Sequence, residues 1–112
     1  MIVDCLLHAH SSFSYDSSTD LADLAKAARA RGYSCILMSE HNNTLDDEQV
    51  KAFVARCREV SDDALLVIPG LELSFSSNRV HLLAYGIERF IESMSKTCTF
   101  GSLVSEIRAA GG

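Results

Sequence analysis

Short apolar segments alternate along this sequence with stretches that have the periodicity of amphipathic helices. Residues 2–7, 33–38, 65–68 and 79–85 have the length and apolar character of strands. Three segments between and after them place apolar residues on one helical face: Leu21, Leu24, Ala25 and Ala28; Val50, Phe53, Val54 and Cys57; and Leu103, Val104 and Ile107. The resulting β-α-β-α-β-β-α order predicts an α/β fold with a mostly parallel sheet and right-handed crossovers.

Residues with strong capping preferences predict the helix ends. Asp20 is the expected N-cap of the first helix, and Gly32 is its expected stop. Thr44 is predicted to cap the second helix, whereas the third should begin near Thr99 and end at residues 111–112. The first strand is apolar along nearly its whole length, so we expect it to be buried on both faces.

Length, charge and cysteine content limit the class of protein. A chain of 112 residues is enough for one domain. Its net charge of -5 argues against a broad nucleic-acid groove, which is usually basic. No apolar stretch approaches the roughly 18 residues of a membrane span, and no basic leader precedes the first strand. No C-x-x-C pair occurs, so all four cysteines are predicted to be reduced and structural in a cytosolic protein: Cys5, Cys35, Cys57 and Cys98.

Histidines and acidic residues gather just after the predicted strands. In parallel α/β folds the carboxyl ends of the strands share one face, and functional sites are built there. These clusters are therefore expected to converge. Their members are His8, His10, Glu40, His41 and Glu72. His81 differs because it lies inside its strand, from which it could still reach the same face.

Each candidate has a simpler interpretation when it is taken alone. His8 and His10 would share one face of a strand, and paired imidazoles suit zinc, manganese or iron, but two histidines can also occur without a ligand. Asp16, in a serine-rich loop, is typical of a turn or a cap. The Glu40–His41 pair could be an ordinary loop pair.

Two residues stand out because of their apolar neighbours. Glu72, between Leu71 and Leu73, would be costly to bury unless it is paired or bound to a cation, so it suits a carboxylate that bridges two metals. His81 has apolar neighbours as well, although a single such residue is usually a core histidine with its hydrogen bonds satisfied.

Taken together, these residues resemble the PHP domain family, named for polymerase and histidinol phosphatase. The resemblance covers nearly the whole chain, with its motifs in order. At position 40 this sequence has Glu where the family more often has Asp. The motifs are His-Ala-His-Ser at 8–11 followed by Ser14 and Asp16, Ser-Glu-His-Asn at 39–42, Pro-Gly-Leu-Glu at 69–72, and Val-His-Leu-Leu-Ala-Tyr-Gly at 80–86.

The resemblance implies a distorted (β/α)7 barrel that holds two or three divalent ions, zinc, manganese or iron, at its strand ends. Residues 1–112 would form the N-terminal portion of that domain. Glu40 is not counted as a ligand. The implied ligands are His8, His10 and Glu72 for a first ion, Glu72 and His81 for a second, and Asp16 and His41 for a third.

The implied activity is that of a phosphoesterase. Water activated by the ions bound to His8, His10 and Glu72 would hydrolyse a phosphomonoester or a phosphodiester, with no need for a cysteine nucleophile. The substrate would be a small phosphorylated molecule or the end of a nucleotide or oligonucleotide. The alternative is a PHP module that binds metal or another protein but is catalytically incompetent.

The family pattern usually continues beyond the last predicted helix with a strand ending in His-Pro and a later Asp-x-His. We therefore expect the barrel to be incomplete after Gly112. A chain with only these elements should be inactive alone, and it should self-associate or dock onto a missing C-terminal half.

Overall fold

Six strands, three α-helices and one turn of 3₁₀-helix form the described part of a computed structural model, which comprises residues 2–75, 79–92 and 99–112. This mixture of strands and helices confirms the predicted α/β class. In chain order the elements are β1 (Cys5–Ala9), α1 (Leu21–Ala30), β2 (Cys35–Met38), β3 (Glu40–His41), the 3₁₀ turn (Asn42–Thr44), α2 (Asp47–Val60), β4 (Leu66–Ile68), β5 (Gly70–Phe75), β6 (Val80–Tyr85) and α3 (Phe100–Ala109).

The strands form two three-stranded sheets. The first has the order β1-β2-β4 with both pairs parallel, whereas the second has the order β3-β5-β6, with β3-β5 parallel and β5-β6 antiparallel. The chain passes from the first sheet to the second across one residue on two occasions, at Ser39 and at Pro69. Neither sheet closes on itself within the described residues, so the seven-stranded barrel is not confirmed.

Strands β3 and β5 are absent from the prediction. The two residues of β3 are too few to show a period of two, and Pro69–Gly70 is typical of a strand end. Gly70 instead starts β5, where a Cβ atom would collide with the carbonyl oxygen of Met38. Glycine thus permits the close approach of two backbones, and it places Glu72 inside a strand, not after one.

The predicted apolar faces of α1 and α2 lie in the core. Leu21, Ala25 and Ala28 of α1 are buried, whereas Leu24 is half-buried and packs against the core. The whole stripe predicted for α2 is buried. In α3 only Leu103 is buried, whereas Val104 and Ile107 are half-buried.

Helix starts agree with the prediction at two of three positions. Asp20 accepts a hydrogen bond from the Ala22 N–H group, and Thr99 forms a capping box at the start of α3. The prediction that Thr44 caps α2 is wrong. Thr44 belongs to the preceding 3₁₀ turn, and Asp46 is the cap, in a reciprocal capping box with Gln49.

Asp46→Ala is expected to lower the free energy of unfolding by about 1 kcal/mol, because the N–H group of Gln49 would lose its acceptor. Asp46→Ser keeps a side-chain acceptor and should lose much less. Urea unfolding followed by circular dichroism measures both. Equal losses for the two variants would mean that the cap does not stabilise α2.

Strand β1 is more exposed than predicted. It forms one edge of its sheet, and Leu7 is 60% exposed, on the same sheet face as Leu66, which is 54% exposed. Cys5, in the strand that was predicted to be buried on both faces, is also exposed.

The three cysteines in the described residues are free, as predicted, whereas Cys98 lies outside those residues. Burial raises the pKa of the Cys35 thiol to about 11 and that of Cys57 to about 12, so neither is suited to act as a nucleophile. Among the helices of residues 2–75, 79–92 and 99–112, none is both long and apolar enough to cross a lipid bilayer.

Candidate metal centre

His8 occupies a bulge near the end of β1. Leu7 pairs with Leu37 and Ala9 with Met38, so His8 is an extra residue without a partner in the ladder. Its φ of 59° lies in the left-handed region, which no other non-glycine residue adopts within the described ranges. The expectation that strand alternation alone would align His8 and His10 is therefore wrong. A bulge turns His8, and His10 lies beyond the strand.

The register of the second sheet positions three further residues. His41 of β3 is the parallel partner of Glu72, so their side chains share a face. Ser74 pairs with His81 across the antiparallel ladder, which places His81 diagonally opposite Glu72 on that same face. Because alternate side chains of β5 and β6 point to the same face, His81 can reach Glu72 although it lies inside a strand.

The Glu72 carboxylate lies at the centre of the four histidines. Its Oε2 atom is 3.1 Å from His8 Nε2, 3.3 Å from His10 Nε2 and 3.8 Å from His41 Nδ1, and its Oε1 atom contacts His81 Nδ1. Glu72 is only 3% exposed, whereas the side chains of His8 and His81 are 49% and 47% exposed. A buried acid is therefore covered by imidazoles that remain open to solvent.

A second group lies beside the first. His41 Nε2 is 3.0 Å from an oxygen of Asp16, and the rings of His10 and His41 stack with centroids 4.6 Å apart. Tyr15 was not predicted as a site residue, but its ring centroid lies 4.9 Å from that of His41. Phe13 packs on Phe53, at 5.4 Å between centroids, and attaches the loop that carries Asp16 to α2.

The histidines change the acidity of both carboxyl groups. Burial of Glu72 acts to raise its pKa, but the hydrogen bond from His8 and the charge of His41 outweigh it, so the pKa lies below its ordinary value. The pKa of Asp16 is lowered chiefly by its hydrogen bond with His41. Both groups are ionised at neutral pH and can act as anionic ligands.

All six predicted ligands meet at this centre. Two groups have ligand atoms within 4.8 Å of one another: His8, His10 and Glu72 in one, and His10, Asp16 and His41 in the other. The first is the set predicted for one ion, and the second adds His10 to the predicted pair. His81 belongs to neither group but contacts Glu72. Their role as metal ligands stays a prediction.

The spacing fits a shared ion. Two donors about 2.1 Å from a tetrahedral ion stand roughly 3.4 Å apart, which follows from zinc–ligand distances. The contacts of Glu72 Oε2 with His8 and His10, at 3.1 and 3.3 Å, are close to that separation. Imidazole and carboxylate together suit zinc, manganese and iron.

Glu40 lies beneath the centre and does not belong to either group. It is fully buried, and its carboxylate accepts hydrogen bonds from Ser11 and Ser14. Burial raises its pKa, whereas these hydrogen bonds oppose the rise. No role was predicted for Glu40 or the two serines. The apolar strand just before Glu40 is the signal that could have indicated a buried acid in need of partners.

Comparison with known proteins gives one result. The family model described as PHP domain matches residues 7–108, a span that contains all six predicted ligands. No curated protein matches the chain.

Proposed function

The chain belongs to the PHP domain family, and on this premise we propose that it provides the metal centre of a phosphoesterase. One observation carries the proposal: the buried Glu72 carboxylate is in contact with, or within 3.8 Å of, all four histidines of the chain. A cluster of this composition is suited to metal binding, because imidazoles and a carboxylate that converge on one point are preferred ligands of transition ions.

The two groups of ligands would hold at least two divalent ions. His8, His10 and Glu72 are the ligands proposed for the first, and Asp16 and His41 are proposed for another, with His10 between them. His81 would act together with Glu72, whose two oxygens face different histidines. When bound, such ions lower the pKa of water and neutralise the oxygens of a phosphate.

The chain's own residues set the conditions for hydrolysis. Glu72 supplies a fixed negative charge at the bottom of the centre, where burial shields it from water. The half-exposed rings of His8 and His81 leave the outer side open to a small phosphorylated molecule or to the end of a nucleotide.

A second candidate function is a metal-binding module without catalytic activity that binds another protein. The apolar sheet face that carries Leu7 and Leu66 favours it, because exposed apolar patches often mark interaction sites. This alternative assigns the ions a structural role.

Titration calorimetry with zinc and with manganese, followed by an assay with an aryl phosphate monoester and a diester, tests the proposal. We expect at least two bound ions per chain and, once the C-terminal half expected from the sequence is supplied, hydrolysis that requires added metal. The matched control is His10→Ala, which removes the residue common to both groups. Binding without turnover would favour the second candidate, and failure to bind either ion would contradict both.

A further inference from the structure

We infer that Cys5 and Cys35 form a site of reversible oxidation, at which a peroxide joins the two thiols as a disulfide between β1 and β2. Both cysteines are free in the structure, and neither belongs to the two ligand groups of the metal centre. The inference therefore goes beyond the proposed function and does not rest on it.

The register of the first sheet places the two cysteines side by side. Cys5 is the direct partner of Cys35 in the parallel β1–β2 ladder, so both side chains stand on the same face of the sheet. Neighbouring strands lie about 4.7–4.9 Å apart, and the Cα atoms of disulfide-bonded cysteines are usually about 4.4–6.8 Å apart. The spacing of the two strands therefore suits a disulfide. Strand β1 has a neighbour on one side only, so it can adjust as the bond forms.

The two thiols differ in their access to solvent. Cys5 lies on the edge strand and is exposed, whereas Cys35 is only 7% exposed. On its other side Cys35 pairs with Leu66 of β4, so the buried thiol lies between an exposed cysteine and an exposed leucine. An oxidant in solution therefore reaches Cys5 first, and the Cys35 thiol lies next to the product of that reaction.

Oxidation by hydrogen peroxide takes place in two steps. The Cys5 thiolate attacks one oxygen of the peroxide, the O–O bond breaks, and the hydroxide that leaves takes up the thiol proton as water. The Cys35 thiolate then attacks the sulfur of the Cys5 sulfenic acid, which forms the S–S bond and releases the sulfenic oxygen as a second water. The thiols lose two electrons and the peroxide gains them. A dissolved thiol reverses the reaction by exchange.

The reduced thiols already interact with each other. Burial raises the pKa of Cys35 to about 11, and a hydrogen bond with the Cys5 thiol contributes to the rise. At about pH 8 roughly one Cys35 side chain in a thousand is then a thiolate, which makes it a poor nucleophile toward a dissolved substrate. Attack on an adjacent residue differs, because well-oriented neighbours reach effective concentrations of about 10⁵ M or more. Proximity thus offsets the low ionisation of Cys35.

Single substitutions separate a paired site from one exposed thiol. Cys35→Ser retains Cys5 without its partner, so peroxide should leave a sulfenic acid that a cyclic diketone traps. Cys5→Ser should leave Cys35 reduced, because burial shields that thiol from the oxidant. Cys57→Ser is the matched control, since it removes a buried thiol from α2 and should not affect the link.

The test is a peptide map of the chain after treatment with hydrogen peroxide at about pH 8, without added metal. Free thiols are blocked by alkylation, and trypsin then releases Cys5 in peptide 1–26 and Cys35 in peptide 32–51. We expect mass spectrometry to find these peptides joined, two hydrogens lighter than their sum, and separated by dithiothreitol. In the folded chain this pairing should exceed every other by roughly tenfold or more, whereas in urea the cysteines should pair more evenly.

A folded wild-type chain in which Cys5 ends as a sulfenic acid, a higher oxide or a disulfide between two chains, without the link to Cys35, would overturn the inference. So would an equal yield of Cys5 linked to Cys98, or loss of the link in a Cys57→Ser variant whose circular dichroism matches the wild type. If the link forms in a chain that binds no metal, the proposed function fails and the oxidation site stands.

Discussion

Glu72→Gln is expected to weaken the binding of zinc or manganese by roughly 100- to 4,000-fold. The carboxylate approaches all four histidines, so its loss affects both ligand groups at once. Removing one partner of a buried charge pair costs about 3–5 kcal/mol, and each 1.4 kcal/mol corresponds to about a factor of ten in affinity. Titration calorimetry of the variant and the wild type measures the difference, and phosphatase activity should fall with it.

Glu40→Gln provides the comparison, since both variants exchange a buried acid for its amide. The Glu40 side chain contacts Ser11 and Ser14 and not the histidines, so its smaller expected loss of about 10- to 100-fold follows from the usual effect of outer partners. Equal losses in the two variants would show that Glu72 has no special position at the centre.

Removal of metal is expected to lower the melting temperature of the wild type by roughly 12 to 20 °C. An ion present at 1,000 times its dissociation constant stabilises the folded state by about 4 kcal/mol, and a domain of this size gains about 3–5 °C per kcal/mol. Melting curves with manganese and with a chelator, followed by circular dichroism, measure the shift. Glu72→Gln should show little of it, and an equal shift in that variant would place the stabilising ion elsewhere.

The metal-dependent shift should shrink as the pH falls, because protons compete with the ion for the imidazole nitrogens. The carboxyl groups affect the stability of the fold at lower pH than the imidazoles do. The pKa values of Glu72 and Asp16 are lowered in the folded state, so their contribution to stability is present above the ordinary pKa of a carboxyl group. It is lost only as the pH falls through the lowered values. Melting curves at several pH values would separate the two stages.

The regular periods in the sequence predicted much of the fold. The stripe of Val50, Phe53, Val54 and Cys57 is buried as a helical period of 3.6 requires. Strands β3 and β5 could not be predicted in this way, because one has two residues and the other begins after a Pro-Gly pair. Nor does the sequence show that β1 is an edge strand, since edge position depends on partners that are distant along the chain.

The convergence of the site was predicted from the rule that the ends of parallel strands share a face. At two positions, His8 and Glu40, the placement of the side chain has another cause. The rule that strand ends share a face brought His41 and His10 together in prediction and in structure. The orientation of His8 depends on a β-bulge with a positive φ. The presence of histidine at a position does not indicate such a backbone conformation. The place of Glu40 depends on hydrogen bonds to a loop about 30 positions earlier, which periodicity cannot detect.

The left-handed backbone of His8 sets two selective pressures against each other at a single position. This conformation costs a non-glycine residue about 1–2 kcal/mol, and glycine would adopt it freely. Selection for heat resistance alone would therefore favour loss of the imidazole, whereas selection for a metal ligand retains it. A lineage that lost the need for the ion would be under pressure to exchange this histidine early, before it altered the ligands that lie on relaxed backbone.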